Sequence, residues 1–155
     1  MRIASFELDG HATYGVADPS GACRPAPEAF VARYPDLKAV LAAQALPELE
    51  RAVAGVAPVT PQRLLPVLPN PGKLICVGLN YKSHVAETKR ADSDHPSLFL
   101  RFNDSLAAHG DEVLRPVFSE RFDWEGELAF VIGKGGRHIA LRGEGGGPQL
   151  GAQQP

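Results

Sequence analysis

Between Pro58 and Pro71 the chain reads PVTPQRLLPVLPNP, with prolines at 58, 61, 66, 69 and 71. Proline fixes φ and has no backbone N–H to donate, so this stretch is excluded from helix and from the interior of a sheet. The spacing predicts an extended connector, and a domain boundary near Asn70 follows from it. Ahead of the connector, RIASFEL, Asp9-Gly10 and HATYGV predict a hairpin, because Asp-Gly readily adopts the positive φ angles of a tight turn. Asp36 is placed to cap a helix running through DLKAVLAAQALPELERAVAG, with apolar positions at Leu37, Val40, Leu41, Leu49 and Val53 and a break expected at Pro47. Behind the connector, KLICVGL predicts a buried strand, YKSHVAETKR a short helix, and SLFLRF and EVLRPV two further strands.

The remaining composition narrows the class of molecule. Of the 155 residues 44% are hydrophobic, enough to bury a core, and the formal charge of −2 gives no basic footprint for nucleic acid. No apolar run reaches the length of a membrane span, and the start MRIASFELDG lacks the apolar stretch of a secretory leader. Cys23 and Cys76 form no C-x-x-C pair, which suits free thiols in a reducing compartment. These features predict a cytoplasmic protein with no nucleic-acid or membrane partner.

The stretch FDWEGELAFVIGKGGR poses the chemical question. Leu128 to Ile132 contain no polar residue and predict a strand, yet Glu125 and Glu127 stand immediately before them. Side chains alternate along a strand, so both glutamates would share one face, with Cα atoms roughly 6.5–7 Å apart. Two carboxylates brought together under partial burial repel, and one would stay protonated unless a cation lies between them. A hard divalent ion such as Mg²⁺, Mn²⁺ or Ca²⁺ takes oxygen ligands at about 2.0–2.6 Å and removes the repulsion. The competing reading is an exposed edge strand with solvated glutamates, the commoner fate of an isolated E-x-E.

A second cluster lies in LICVGLNYKSHVAETKR. His84 and Glu87 are spaced i, i+3 and would share one face of a helix. A carboxylate beside an imidazole orients it and raises its basicity, which suits a general base. A surface histidine paired with a nearby acid is the plainer alternative. The other histidines, His11, His95, His109 and His138, are read as surface or loop residues.

Taken in order, KLICVGLNYKSHVAE, PSLFLRFNDSL and FDWEGELAFVIGKGGRHI resemble the fumarylacetoacetate hydrolase family. The likeness runs from about Lys73 to Leu141, with the patterns G-L-N-Y-x-x-H-x-x-E, F-L-x-x-x-x-S-L and D-x-E-G-E-L-A in the family's order. It implies an α+β fold of mixed β character with few helices: a curled β-sandwich or roll, preceded by a small N-terminal domain and assembled as a homodimer. By the same resemblance residues 1–69 would be that small domain with its connector, and 70–141 part of the catalytic domain. Glu125 and Glu127 fall on metal ligands of the family, and His84 and Glu87 on the pair that activates water.

The implied cofactor is Mg²⁺, Mn²⁺ or Ca²⁺, and the implied substrate a small diketo or 2-oxo acid. The implied reaction is hydrolysis of a C–C bond in an acylpyruvate or fumarylacetoacetate-like compound, through an enolate that the metal holds. Isomerisation or decarboxylation, as on 2-hydroxyhepta-2,4-diene-1,7-dioate, is the alternative on the same site.

Beyond Leu141 the likeness stops. RGEGGGPQLGAQQP, residues 142–155, has little apolar area to offset its ordering entropy and is expected to be disordered. The family's third ligand, a downstream aspartate in an N-D-x-S-x-R-D turn, has no counterpart there, and Glu144 is the sole acid of the tail. The expectation is a C-terminally truncated or frame-shifted member, with an incomplete sheet and weak metal binding. A non-catalytic remnant is the second functional class.

Overall fold

The computed structural model describes residues 1–78, 80–81 and 95–138. Strands β1 (Arg2–Leu8) and β2 (His11–Ala17) form an antiparallel hairpin in the register Leu8–His11 to Arg2–Ala17. Asp9 and Gly10 sit at φ of 51° and 76°, the double left-handed pair of a two-residue turn whose twist matches that of its strands. The Gly10 N–H is held by the Gln62 side-chain oxygen at 3.0 Å, so the proline-rich stretch already clasps this turn.

Two short strands widen the hairpin into a four-stranded sheet of order β3-β2-β1-β4. Strand β3 (Cys23–Pro25) lies against β2, and β4 (Arg63–Leu64) lies against β1. Strand β4 falls between Pro61 and Pro66, and backbone bonds from Gln62 N to Glu7 O and from Leu65 N to Ser5 O anchor it. The connector is therefore extended, as its prolines require, and the N–H groups of Val59, Gln62 and Leu65 bond to backbone carbonyls of the sheet. Gly15 is needed where β3 crosses β2: a Cβ there would stand 2.0 Å from the Arg24 carbonyl oxygen.

Three short helices cover one face of this sheet: α1 (Glu28–Arg33), α2 (Leu37–Ala42) and α3 (Leu46–Ala52). The Asp36 side chain caps α2 by accepting from the Ala39 N–H at 2.7 Å. The break between α2 and α3 falls at Gln44, with φ of 54°, and Pro47 occupies the first turn of α3, where its missing N–H has no helical partner to lose. Helix α1 carries no periodic apolar stripe of useful length. It forms because Phe30 buries against Tyr34, Leu37, Val40 and Leu49 in a core closed on the sheet side by Tyr14.

Every buried residue among those described lies between Ser5 and Val53. The second half is a different object. Strands β5 (Leu74–Gly78) and β6 (Ser97–Arg101) pair antiparallel as an isolated ribbon, followed by a 3₁₀ turn at Asn103–Ser105. Ile75, Val77, Leu98 and Leu100 share one face of the ribbon and are all exposed. The expectation of a buried strand at KLICVGL is thus corrected. The strand forms, but among the described residues no second layer covers the two-stranded ribbon to bury it.

Two further strands expected from the sequence are absent. Residues 112–117 and 125–132 are irregular and exposed. A strand exists only where a neighbour completes its hydrogen bonds, and no such neighbour flanks either segment among the described residues. Segment 108–111 is tied back to the first sheet by Asp111. One of its carboxylate oxygens accepts from Arg63 Nη2 and the other from the Ala108 N–H, each at 2.8 Å. Those bonds, the backbone one foremost, hold the Asp111 carboxyl below the usual range. The fold class is α+β, with two antiparallel sheets and three short helices among the described residues.

Candidate functional site

The apolar run of β5 delivers the chain to Asn80 and Tyr81, the last two residues of G-L-N-Y. From there the Tyr81 hydroxyl oxygen accepts from the Leu128 N–H at 3.1 Å. That bond joins the end of β5 to the E-G-E-L segment and brings two of the three sequence motifs into contact. Glu125 and Glu127 are exposed on this irregular segment, so the strand alternation that predicted a shared face does not operate. Trp124, immediately before them, is 84% exposed, and its backbone N–H donates to the Asp123 carboxylate at 2.8 Å.

The segment can offer two hard oxygen donors. Among the described residues no group of three or more histidine, cysteine, aspartate or glutamate side chains is gathered to hold a metal ion. A two-carboxylate set fits Mg²⁺ best of the ions considered, because Mg²⁺ keeps several waters and is commonly held through one or two carboxylates, whereas Ca²⁺ takes six to eight ligands. Exposure of both side chains leaves room for those waters.

His84 and Glu87 lie outside the described residues. His11, His95, His109 and His138 are all exposed, in keeping with their reading as surface or loop residues. Tyr81 stands inside a quoted motif, but its contact with the E-G-E-L segment is not legible in the sequence. Its partner is a backbone amide 47 positions away, and a backbone amide leaves no residue-type signal in a sequence.

The described helices include none long and apolar enough to cross a membrane. Both cysteines are free; Cys23 is fully buried, whereas Cys76 is only half-buried, not buried as the expected LICVGL strand would have it.

Comparison with known proteins places residues 73–145 on the family model described as fumarylacetoacetate (FAA) hydrolase C-terminal. The chain is 43% identical over 93 residues to the human mitochondrial oxaloacetate tautomerase FAHD2A, covering 57% of this chain and 29% of that protein. It is 41% identical over 70 residues to a fumarylacetoacetate hydrolase domain-containing protein 2 homolog of Dictyostelium discoideum, covering 45% of this chain and 23% of the relative. Mitochondrial oxaloacetate tautomerase fahd2 of Xenopus laevis is 42% identical over 76 residues, covering 49% and 24%. The chain thus spans less than a third of the length of these relatives.

Proposed function

This chain belongs to the fumarylacetoacetate hydrolase family, and from that premise we propose that it serves keto–enol tautomerisation of a short 2-oxo dicarboxylic acid of the oxaloacetate kind. The observation that carries the reading is that relatives at about two-fifths identity bear the name oxaloacetate tautomerase. Both chemical clusters, G-L-N-Y-x-x-H-x-x-E and E-G-E-L-A, lie inside the matched residues 73–145. Hydrolysis of a C–C bond, placed first by the sequence reading, becomes the second reading. It needs the same residues plus a positioned water.

In this proposal Glu125 and Glu127 would hold the divalent cation, Mg²⁺ in the first instance. When bound, that ion supplies Lewis-acid polarisation of the 2-oxo group. The rest falls to side chains. His84, with Glu87 as the carboxylate that would orient it, takes a proton from the carbon beside the carbonyl. The C–H electron pair becomes the C=C bond of the enol, the C=O π pair moves onto oxygen, and that oxygen takes a proton from water, which the imidazolium replaces with the one it removed. The reverse reaction returns the proton to carbon.

The proposal extends to the architecture of the relatives' length: a curled β-sandwich or roll in a homodimer, with residues 1–69 as a small leading domain and 70–141 as part of the catalytic one. The cytoplasmic expectation is not carried further, since the relatives' names place them in mitochondria.

Enol-oxaloacetate mixed with the protein and Mg²⁺ tests the reading through its ultraviolet decay. Ketonisation faster than in buffer is expected. His84→Ala should lower that acceleration roughly 10²-fold or more, the scale of a lost general base, and Glu125→Gln or Glu127→Gln should remove it. Equal rates in all variants would overturn the assignment, and cleavage of an acylpyruvate with oxaloacetate untouched would install the hydrolase instead. A chain inert toward both compounds would favour the non-catalytic reading, which draws its support from the lack of any buried residue among those described after Val53.

A further inference from the structure

The Tyr81–Leu128 bond does more than join two motifs. The Leu128 N–H belongs to the peptide group that also contains the Glu127 carbonyl, so holding that amide restricts rotation about the bond on the C-terminal side of the Glu127 Cα. That carbon carries one of the two carboxylates. We propose that Tyr81 is a positioning residue for the Glu125–Glu127 pair, its hydroxyl fixing the Glu127–Leu128 peptide so that both carboxylates face one divalent cation. The proposal rests on the metal reading of the glutamates given above.

The physical need is plain in the fold. Residues 121–138 belong to no strand ladder, which is the device that would otherwise set the spacing of two side chains on an extended segment. A tyrosine meets that need well. Its ring is rigid and turns about only two torsions, so the position of its oxygen follows closely from the backbone at the end of β5. Tyr81 is 46% exposed and Leu128 71% exposed, so water competes for the bond and the contribution is that of one neutral hydrogen bond.

Tyr81→Phe keeps the ring and removes only the oxygen. In the full 155-residue chain, NMR should show faster exchange of the Leu128 amide, with the amides of the first sheet unchanged. Mn²⁺ binding, followed by the paramagnetic signal of the free ion, should weaken about 2- to 10-fold, while the unfolding transition of the first sheet stays where it was. A merely structural tyrosine would move the transition and not the affinity.

Unchanged Leu128 exchange overturns the proposal, and so does faster exchange with unchanged Mn²⁺ affinity. Glu125→Gln and Glu127→Gln separate this failure from that of the reading beneath it. If those variants bind Mn²⁺ as the parent does, or the parent binds none, the metal reading itself falls and the proposal with it. If they lose Mn²⁺ while Tyr81→Phe does not, the fault lies with the tyrosine alone.

Discussion

High pH should loosen the first sheet through one side chain, Tyr14. Its ring is 2% exposed and its hydroxyl donates to the Tyr34 carbonyl. Burial first, then the negative charge of Asp36 and the neighbouring Tyr34, push the phenol from 10.0 up to about 12. In the unfolded chain the same phenol ionises near 10. The folded value is the raised one, so the stabilisation is complete below about pH 10 and is lost progressively as pH climbs toward 12. At 1.36 kcal/mol per unit, a shift of this size is worth about 2 to 3 kcal/mol.

Tyr14→Phe removes the titration and the hydrogen bond together. At neutral pH the variant should be less stable by about 1 kcal/mol, the usual net value of such a bond. It has no phenol to ionise, so the two stabilities should cross at about pH 10.5 to 11, and above the crossing the phenylalanine variant should be the more stable. Urea unfolding followed by far-UV circular dichroism from pH 7 to 12 measures this. The single tryptophan is a poor reporter, since Trp124 is already 84% exposed. Curves that run parallel through pH 12 with a constant gap would refute the account of the Tyr14 environment.

Two further outcomes are expected. Gly15→Ala should destabilise the first sheet by about 3 kcal/mol, because the new methyl would lie 2.0 Å from a backbone oxygen of β3, an atom that cannot swing aside; an unfolding midpoint within error of the parent would contradict the close crossing. Cys76 should react with a thiol reagent well before Cys23, whose thiol is buried and raised in pKa by desolvation and then by Asp18; mass mapping that finds Cys23 labelled first would show that the first sheet opens more readily than its packing implies.

The features legible in the sequence are those whose cause lies within a few residues. Asp9-Gly10 carries its own preference for positive φ, so the hairpin and its register follow from two residues. Asp36 reaches an amide three positions on, and the prolines from 58 to 71 forbid helix whatever surrounds them. The motif order between Lys73 and Leu141 pointed to the family for a related reason, since chemistry conferred by residue types at set spacings is written along the chain.

What only the tertiary structure decided needs a distant partner. Helix α1 is six residues long and depends on Phe30 meeting Val40 and Leu49. Strands β3 and β4, three and two residues long, exist because an edge of the hairpin was free to receive them. The apolar runs at 74–78 and 128–132 look equally buried as sequence, but among the described residues only the first finds a neighbouring strand and neither finds a covering layer. The Tyr81 hydroxyl meets the Leu128 amide across 47 residues. Torsional preference and capping are properties of a residue and its near neighbours, whereas a ladder or a core belongs to two segments at once, and a linear pattern does not say which two will meet.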